Sequence, residues 1–133
     1  MQDQPTPGEM LKTVAAFLRS AGSKEAQPHV AYQVRVAANV LDLVARELAI
    51  APLENTLEAE RLGAILRCDG SLEELNAAFA AALDRGTLSI SSPEIREHLW
   101  ATTLAKLSVD QPAYSGYRAA LTERDGLANS KDP

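Results

Sequence analysis

Hydrophobic residues recur at helical spacing along most of the chain, and the longest such pattern runs from about Pro28 to Ala49. Its first apolar stripe, spaced three or four residues apart, consists of Val30, Val34, Ala37, Leu41, Val44 and Leu48. A second stripe, Val36, Val40 and Leu43, widens the apolar arc to about half of the helix circumference. Because so wide an arc needs neighbours on more than one side, we predict a long second helix at the centre of the fold.

The first helix is predicted to begin at Thr6–Pro7 and to end at Ala21-Gly22-Ser23. Thr6 is suited to cap the helix, Pro7 fits its first position, and Glu9 completes a capping box with Thr6. Glycine is a common residue at a helix C-terminus, which supports the predicted end. The residues predicted to face inward are Leu11, Val14, Leu18 and Ala21, with Phe17 beside them.

Two shorter helices are predicted after the second. Pro52 either ends the long helix or opens the next, which Asn55 is placed to cap. Ser71 and Glu74 form another capping box, and Gly86 is placed to end the helix that they begin. The predicted buried face of this fourth helix consists of Leu72, Leu75, Phe79 and Leu83.

A fifth helix is predicted to begin at Ser92–Pro93 and to end before Pro112, because proline disfavours helical geometry in the residue ahead of it. The short alternating stretch 88–90 is predicted to be a loop, since it has no visible partner strand. The stretch from Tyr114 is compatible with a helix, but from Thr122 it has the polarity of a frayed tail. The inward residues of the fifth helix are predicted to be Ile95, Leu99, Trp100, Leu104 and Leu107.

These elements predict an all-α fold: a single-domain helical bundle of about five helices with a central long second helix. The length of 133 residues is that of one ordinary domain, so no second core is expected. The predicted bundle domain spans residues 8–116. It is preceded by a flexible N-terminus, residues 1–7, and followed by a partly ordered C-terminal tail, residues 117–133.

Charge and hydropathy narrow the classes of partner. The 18 acidic residues outnumber the 13 basic ones, which gives a net charge of −5. An acidic chain gains nothing from counterion release, so neither a nucleic acid nor an anionic membrane is expected as a partner. No apolar run approaches the ~20 residues of a membrane span, and the first residues carry no secretory signal, so a cytoplasmic location is predicted.

The sequence contains no self-sufficient catalytic site. Cys68 has no histidine beside it in the sequence, and we expect a half-buried structural thiol. His29 and His98 lie on separate predicted helices, and Glu94 with His98 supplies only two ligands on one helix face. No metal is therefore expected, and His98 is expected to be solvated beside its acidic neighbour. The glycines never cluster into a phosphate-binding loop, so no cofactor is expected either.

Two polar clusters are the candidate binding or docking residues. The polar line, on one side of the long helix, consists of Arg35, Asn39, Asp42 and Arg46. It is either a solvated face with an internal ion pair between Asp42 and Arg46, or the floor of a groove or a docking face on a central helix. The C-terminal cluster consists of Lys106, Asp110 and Tyr114.

Two segments resemble a bacterial family of small proteins classed as a domain of unknown function. They are Arg35–Leu41, continuing to Arg46-Glu47-Leu48, and Leu104–Tyr114, within a likeness that covers about residues 8–116. The positions that match the family's polar signature are Arg35, Asn39, Arg46, Lys106, Asp110 and Tyr114. Tyr32-Gln33 stands where the family has an aromatic–His pair, so a binding or packing role is expected there instead of proton transfer.

The resemblance implies a companion of kinases related to the aminoglycoside phosphotransferases, and of acyl-CoA dehydrogenases. Some of these kinases act on hydroxyacyl-CoA thioesters. The first hypothesis is therefore a non-catalytic accessory subunit of such a kinase, with a homodimer left open. The second is a stand-alone bundle that binds an acidic or CoA-linked ligand between the second and fifth predicted helices. An enzyme acting alone is the third, and it requires a perturbed acid or base that the sequence does not reveal.

Overall fold

The computed structural model describes residues 5–21 and 27–129. The helices in these ranges are α1 (Pro7–Ala21), α2 (Pro28–Leu66), α3 (Leu72–Asp84), α4 (Pro93–Asp110) and α5 (Ser115–Asn129). The predicted all-α class, the number of about five helices and the long second helix are confirmed. The described residues contain no strand, and residues 88–90 form the predicted loop. The predicted helix end at Gly22-Ser23, and residues 1–4 and 130–133 of the predicted termini, lie outside the described residues.

The helix α2 continues through Pro52, where the sequence predicted a boundary. A proline removes one backbone hydrogen bond and costs about 3 kcal/mol in a helix interior, so packing on either side has to compensate. Ala45 is buried before Pro52 and Leu62 is buried after it. The predicted third helix is therefore the C-terminal part of α2, and the fifth helix of the structure is α5, which extends beyond Thr122.

The chain divides within α2 into two compact units, Met1–Pro52 and Leu53–Pro133, called unit 1 and unit 2 below. In unit 1, α1 lies antiparallel to the first part of α2. The start of α1, at Pro7, shares a groove with Ala45, whereas Arg19 near its end contacts Asp42. The buried residues of unit 1 are the small side chains Ala15, Ala38 and Ala45.

The core of unit 2 is larger and is built from three helices. The last turns of α2 contribute Leu62, α3 contributes Leu75 and Phe79, and α4 contributes Ile95. The apolar side chains packed around this cluster are Ala59, Ile65, Leu66, Leu72, Leu83 and Leu88. The buried face predicted for the helix after Ser71 is therefore confirmed.

On α4 the sequence prediction of the inward face was partly wrong. Ile95 and Leu104 are buried as predicted, but Trp100 is 57% exposed. His98 and Val109 are buried instead. Residues three apart on a helix share a face, which places His98 beside Ile95 and turns Trp100 away from it. Hydrophobicity alone favoured Trp100 as an inward residue, whereas the position along the helix buries His98.

The predicted capping boxes are both present. Thr6 Oγ1 accepts a hydrogen bond from the Glu9 amide at 3.3 Å, and Glu9 Oε2 accepts one from the Thr6 amide at 2.7 Å. Ser71 and Glu74 exchange the same pair of bonds at 3.3 Å and 2.8 Å. These bonds lower the pKa of Glu9 and the pKa of Glu74 below their ordinary values, because they stabilise the carboxylate forms. Gly86, with φ at 71°, follows α3 as predicted.

Replacing Ser71 by alanine is expected to lower the free energy of unfolding by about 1 kcal/mol, because an amide at the start of α3 loses its acceptor. Ser92 is a matched control, since it also precedes a helix but its side chain makes no capping hydrogen bond. We expect Ser92→Ala to change stability by less than ~0.5 kcal/mol. Urea unfolding of both variants measures the difference, and equal losses would show that the capping bond contributes nothing.

Candidate functional site

The polar line lies along the side of α2 and contacts α1. Arg35 and Asn39 are exposed, and Asp42 is partly buried. Arg19 of α1 forms an ion pair with Asp42, and its Nη2 donates a hydrogen bond to Asn39 Oδ1 at 3.4 Å. Since Arg19 and Asp42 are both partly exposed, the pair adds at most about 1 kcal/mol of stability. Sequence reasoning missed Arg19, because helical spacing does not reveal which helix lies beside the line.

The C-terminal cluster lies on unit 2. Lys106 and Asp110 are exposed at the end of α4, and Tyr114 is exposed just before α5. The Tyr114 ring lies over Gly116, where a Cβ atom would be only 2.8 Å from the Tyr114 Cε1 atom. Among the described contacts, no side-chain hydrogen bond or ion pair joins the three residues. The candidate residues thus form two separate sets, one in each unit.

Unit 1 exposes large apolar side chains that the sequence pattern predicted to be inward, including Val14, Val44 and Leu48. Leu11, Leu18, Val34 and Leu41 are only partly buried. The reason is that two helices in contact bury only the narrow strip between them, and in this hairpin alanines occupy that strip. The remaining apolar surface of both helices stays in contact with solvent.

Part of the exposed apolar surface of α1 and α2 lies on one side of the hairpin. The exposed apolar side chains that lie elsewhere on these two helices are Phe17, Tyr32, Val36 and Val40. At about 100° per residue, Val44 lies on one side of the buried strip of α2 and Asp42 lies on the other. On α1, Val14 and Arg19 are separated in the same way. Because the helices are antiparallel and Arg19 contacts Asp42, both polar sides face one way and both apolar sides face the other.

We call this apolar side the hairpin face. Its members on α1 and α2 are Met10, Leu11, Val14, Leu18, Val30, Val34, Ala37, Leu41, Val44 and Leu48. None of these residues is charged. A groove of about 380 Å³ adjoins the face at Leu48 and is also lined by Thr6, Pro7, Gly8, Ala45 and Ala49. The face is therefore both apolar and indented at one end.

Unit 2 contains a different kind of site, a cavity of about 240 Å³ among α2, α4 and α5. We call it the Arg61 cavity. Its apolar lining consists of Leu57, Ala101, Leu104, Ala105 and Leu121, and its polar lining consists of Glu54, Arg61, Ser108 and Tyr117. Its polar and apolar surfaces are about equal, so it combines the apolar walls and the convergent polar groups that a ligand pocket in a protein needs.

Arg61 is the unusual member of this lining. Its Nε and Nη2 atoms are buried and have no hydrogen-bond partner in the part of the chain that the structure describes. Buried N–H groups without a partner are costly, because water no longer solvates them. The sequence analysis did not select Arg61, since a single arginine on a helix carries no signal of burial.

His98 lies next to Arg61 and is only 3% exposed, so the prediction of a solvated His98 was wrong. Its ring packs edge-on against Phe79 with ring centroids 5.0 Å apart. Burial lowers the pKa of His98, the positive charge of Arg61 lowers it further, and the negative charge of Glu58 opposes both. Glu58 Oε1 in turn accepts a hydrogen bond from Asn76 Nδ2 at 2.9 Å. His98 is therefore neutral near pH 7.

The remaining candidate chemistry is sparse. Cys68 is exposed, not half-buried as expected, because it follows the end of α2 and Arg67, which has a positive φ of 55°. The described residues include no group of three or more histidine, cysteine or acidic side chains that could hold a metal ion. None of the helices in the described ranges is long and apolar enough to cross a membrane.

Comparison with known proteins identifies a family but no characterised relative. No curated protein and no solved structure matches the chain. Residues 24–114 match the family described as Domain of unknown function (DUF6285). This span is more than half of the chain and contains the polar line, the C-terminal cluster, Arg61 and His98. The protein thus belongs to the DUF6285 family.

Proposed function

We propose that the protein is a non-catalytic accessory subunit that docks through its hairpin face on a phosphotransferase-type kinase of hydroxyacyl-CoA catabolism in the bacterial cytoplasm. The observation that carries the docking proposal is the uncharged apolar surface of unit 1, on which Val14, Val44 and Leu48 are exposed. The class of the partner rests on the resemblance of Arg35–Leu41 and Leu104–Tyr114 to a family that accompanies such kinases.

The size of the hairpin face supports a protein partner. Its side chains, partly or about half exposed, together present roughly 500–600 Å² of apolar surface. A stable interface of standard size buries about 800 Å² on each partner, and more than half of that is apolar. The hairpin face therefore matches the apolar centre of such an interface, and a soluble chain gains stability by covering it.

The polar line faces the opposite side of the hairpin from this centre, so only a part of the partner that extends past the edge of the hairpin face contacts it. Arg35 and Asn39 lie on the side of α2 that adjoins the Arg19–Asp42 ion pair. Guanidinium and amide groups in such a position pair with carboxylates or carbonyl groups of a partner and set its orientation. Contacts of these exposed groups contribute less affinity than the apolar centre, because they stay accessible to water.

The test is the affinity of purified Val44→Asp for the kinase, measured by isothermal titration calorimetry. An aspartate on the hairpin face places an unpaired charge in the interface, and we expect at least a 30-fold loss of affinity. Val36→Asp is the matched control, because Val36 is 42% exposed and Val44 is 38% exposed on the same helix. Val36 lies outside the hairpin face, so we expect its variant to bind within about threefold of the wild type.

Variants of the polar line refine the test. We expect Arg35→Ala and Asn39→Ala to weaken the association by only ~2–10-fold while thermal unfolding stays cooperative. Equal affinities of Val44→Asp and Val36→Asp would contradict docking through this face. A wild-type chain that binds no such kinase would overturn the choice of partner. A homodimer that only Val44→Asp dissociates would assign the face to self-association instead.

A further inference from the structure

We propose that the Arg61 cavity binds a small monocarboxylate with a short hydrocarbon chain. This site lies in unit 2 and is independent of the hairpin face, so either proposal can fail while the other stands. The proposal specifies the second hypothesis, a bundle that binds an acidic ligand. The class of ligand is inferred from the residues that line the cavity.

Arg61, the cation in the cavity lining, defines the charged end of the ligand. Nε and Nη2 lie on the same edge of the guanidinium group, and their N–H bonds point in nearly parallel directions. This edge matches the two oxygens of a carboxylate, which accept a pair of charge-assisted hydrogen bonds. Both atoms are buried and lack a partner among the described residues, so a carboxylate in the cavity would satisfy them together once the guanidinium group turns toward it.

The cavity lining and volume define the rest of the ligand. Leu57, Leu104 and Leu121 line it together with two alanines, which suits a hydrocarbon chain. A volume of about 240 Å³ equals roughly eight water molecules at ~30 Å³ each. This is below the ~300–1,000 Å³ of pockets for larger ligands, so a nucleotide or the CoA group does not fit inside. An acid of about six carbons fits.

The other polar groups limit the charge of the ligand. Glu54 also lines the cavity and forms no ion pair with Arg61 in the described residues. Its carboxylate repels a second negative charge, which disfavours phosphate and dicarboxylates relative to a monocarboxylate. Ser108 Oγ already donates its proton to the Ala105 carbonyl at 2.6 Å, so the serine has only acceptor capacity left for a ligand.

The test uses hexanoate as the probe, with hexanamide and inorganic phosphate as comparisons. At about ten times its Kd, hexanoate is expected to raise the melting temperature of the full chain by about 3–5 °C. Hexanamide has the same size without the charge, and phosphate has charge without the chain, so neither should shift it by more than about 1 °C. Melting is followed by circular dichroism at constant ionic strength.

Variants assign the effect to the cavity. Arg61→Met should abolish the response to hexanoate and should itself melt at a higher temperature than the wild type, because two buried N–H groups without a described partner are gone. Arg96→Met is the matched control, since Arg96 is exposed on α4 and does not line the cavity. Ala105→Leu keeps Arg61 but fills the cavity, and it should also abolish the response.

The result that would overturn the proposal is a hexanoate response that persists in Arg61→Met or in Ala105→Leu. A wild-type chain that does not respond up to about 50 mM hexanoate, or that responds equally to hexanamide or phosphate, would overturn it as well. Val44→Asp should keep the full response, because its substitution lies on the hairpin face of unit 1. A variant that loses kinase binding but keeps the hexanoate response separates the two proposals.

Discussion

Replacing Leu62 by alanine is expected to lower the free energy of unfolding by about 3 kcal/mol, within the usual ~2–5 kcal/mol for a buried leucine. Leu62 has no exposed surface and belongs to the core cluster with Leu75, Phe79 and Ile95. Removing three carbons there loses apolar burial and leaves a void that three helices can only partly close. Urea unfolding followed by circular dichroism measures the loss.

The control for Leu62→Ala is Leu53→Ala on the same helix. Leu53 is exposed and lies outside the core cluster, so we expect its loss to cost less than ~0.5 kcal/mol. If both variants lost the same stability, the packing of α2 against α3 and α4 would not be the main source of stability in unit 2. The comparison also matters for the Arg61 cavity, because Leu62 adjoins Arg61 in the sequence and anchors its turn of α2.

Stability is expected to fall between pH 7 and pH 5.5 because of His98. Burial lowers the pKa of His98 in the folded state, and the positive charge of Arg61 lowers it further. The negative charge of Glu58 opposes both effects. The unfolded chain has the ordinary histidine pKa near 6.5. Above about pH 6.5 His98 is neutral in both the folded and the unfolded state, and its full contribution to stability is present. Below it the unfolded state takes up a proton that the folded state does not, and stability is lost.

The free energy of unfolding falls by about 1.4 kcal/mol per pH unit once the histidine of the unfolded chain is protonated. This loss ends when the pH falls below the pKa of His98 in the folded state. Urea unfolding at pH 7.0 and pH 5.5 measures it. His98→Phe keeps an aromatic ring beside Phe79 but cannot take up a proton, so the loss should be much smaller. His29→Gln, an exposed position in unit 1, should keep the wild-type slope.

An unchanged slope in His98→Phe would show that other groups cause the pH dependence. The capping carboxylates do not interfere, because the pKa of Glu9 and the pKa of Glu74 lie below their ordinary values. Their contributions are complete above about pH 4.5 and are lost only as pH falls further. Between pH 7.0 and pH 5.5 these two carboxylates therefore add nothing to the pH dependence.

The local features of the fold were predictable because neighbouring residues determine them. The capping boxes of Thr6 with Glu9 and of Ser71 with Glu74, and the helix end at Gly86, all formed as predicted. Each depends on hydrogen bonds or backbone angles within a few residues. The helix boundary at Pro52 was predicted wrongly, because it also rested on a local signal. Such a signal does not include the packing of Ala45 and Leu62 on either side of the proline.

The candidate site was only partly predictable. The polar line was visible as a spacing of residues on one helix, but its contact with Arg19 depends on which side of α1 lies against α2. Likewise, the apolar stripe containing Val44 was visible, yet the alanine at position 38 occupies the buried strip. Periodicity shows that side chains share a helix face, but it does not show whether another helix covers that face.

The amino-acid sequence thus determined the helical class, most helix boundaries and the inward face of α3, since these follow from hydrogen bonds and periodicity within single segments. Only the tertiary structure decided that His98 and the two guanidinium atoms of Arg61 are buried while Trp100 is exposed. Burial depends on how α2, α3, α4 and α5 pack together. That packing is set by contacts between residues far apart in the chain, and the pattern along one helix does not specify it.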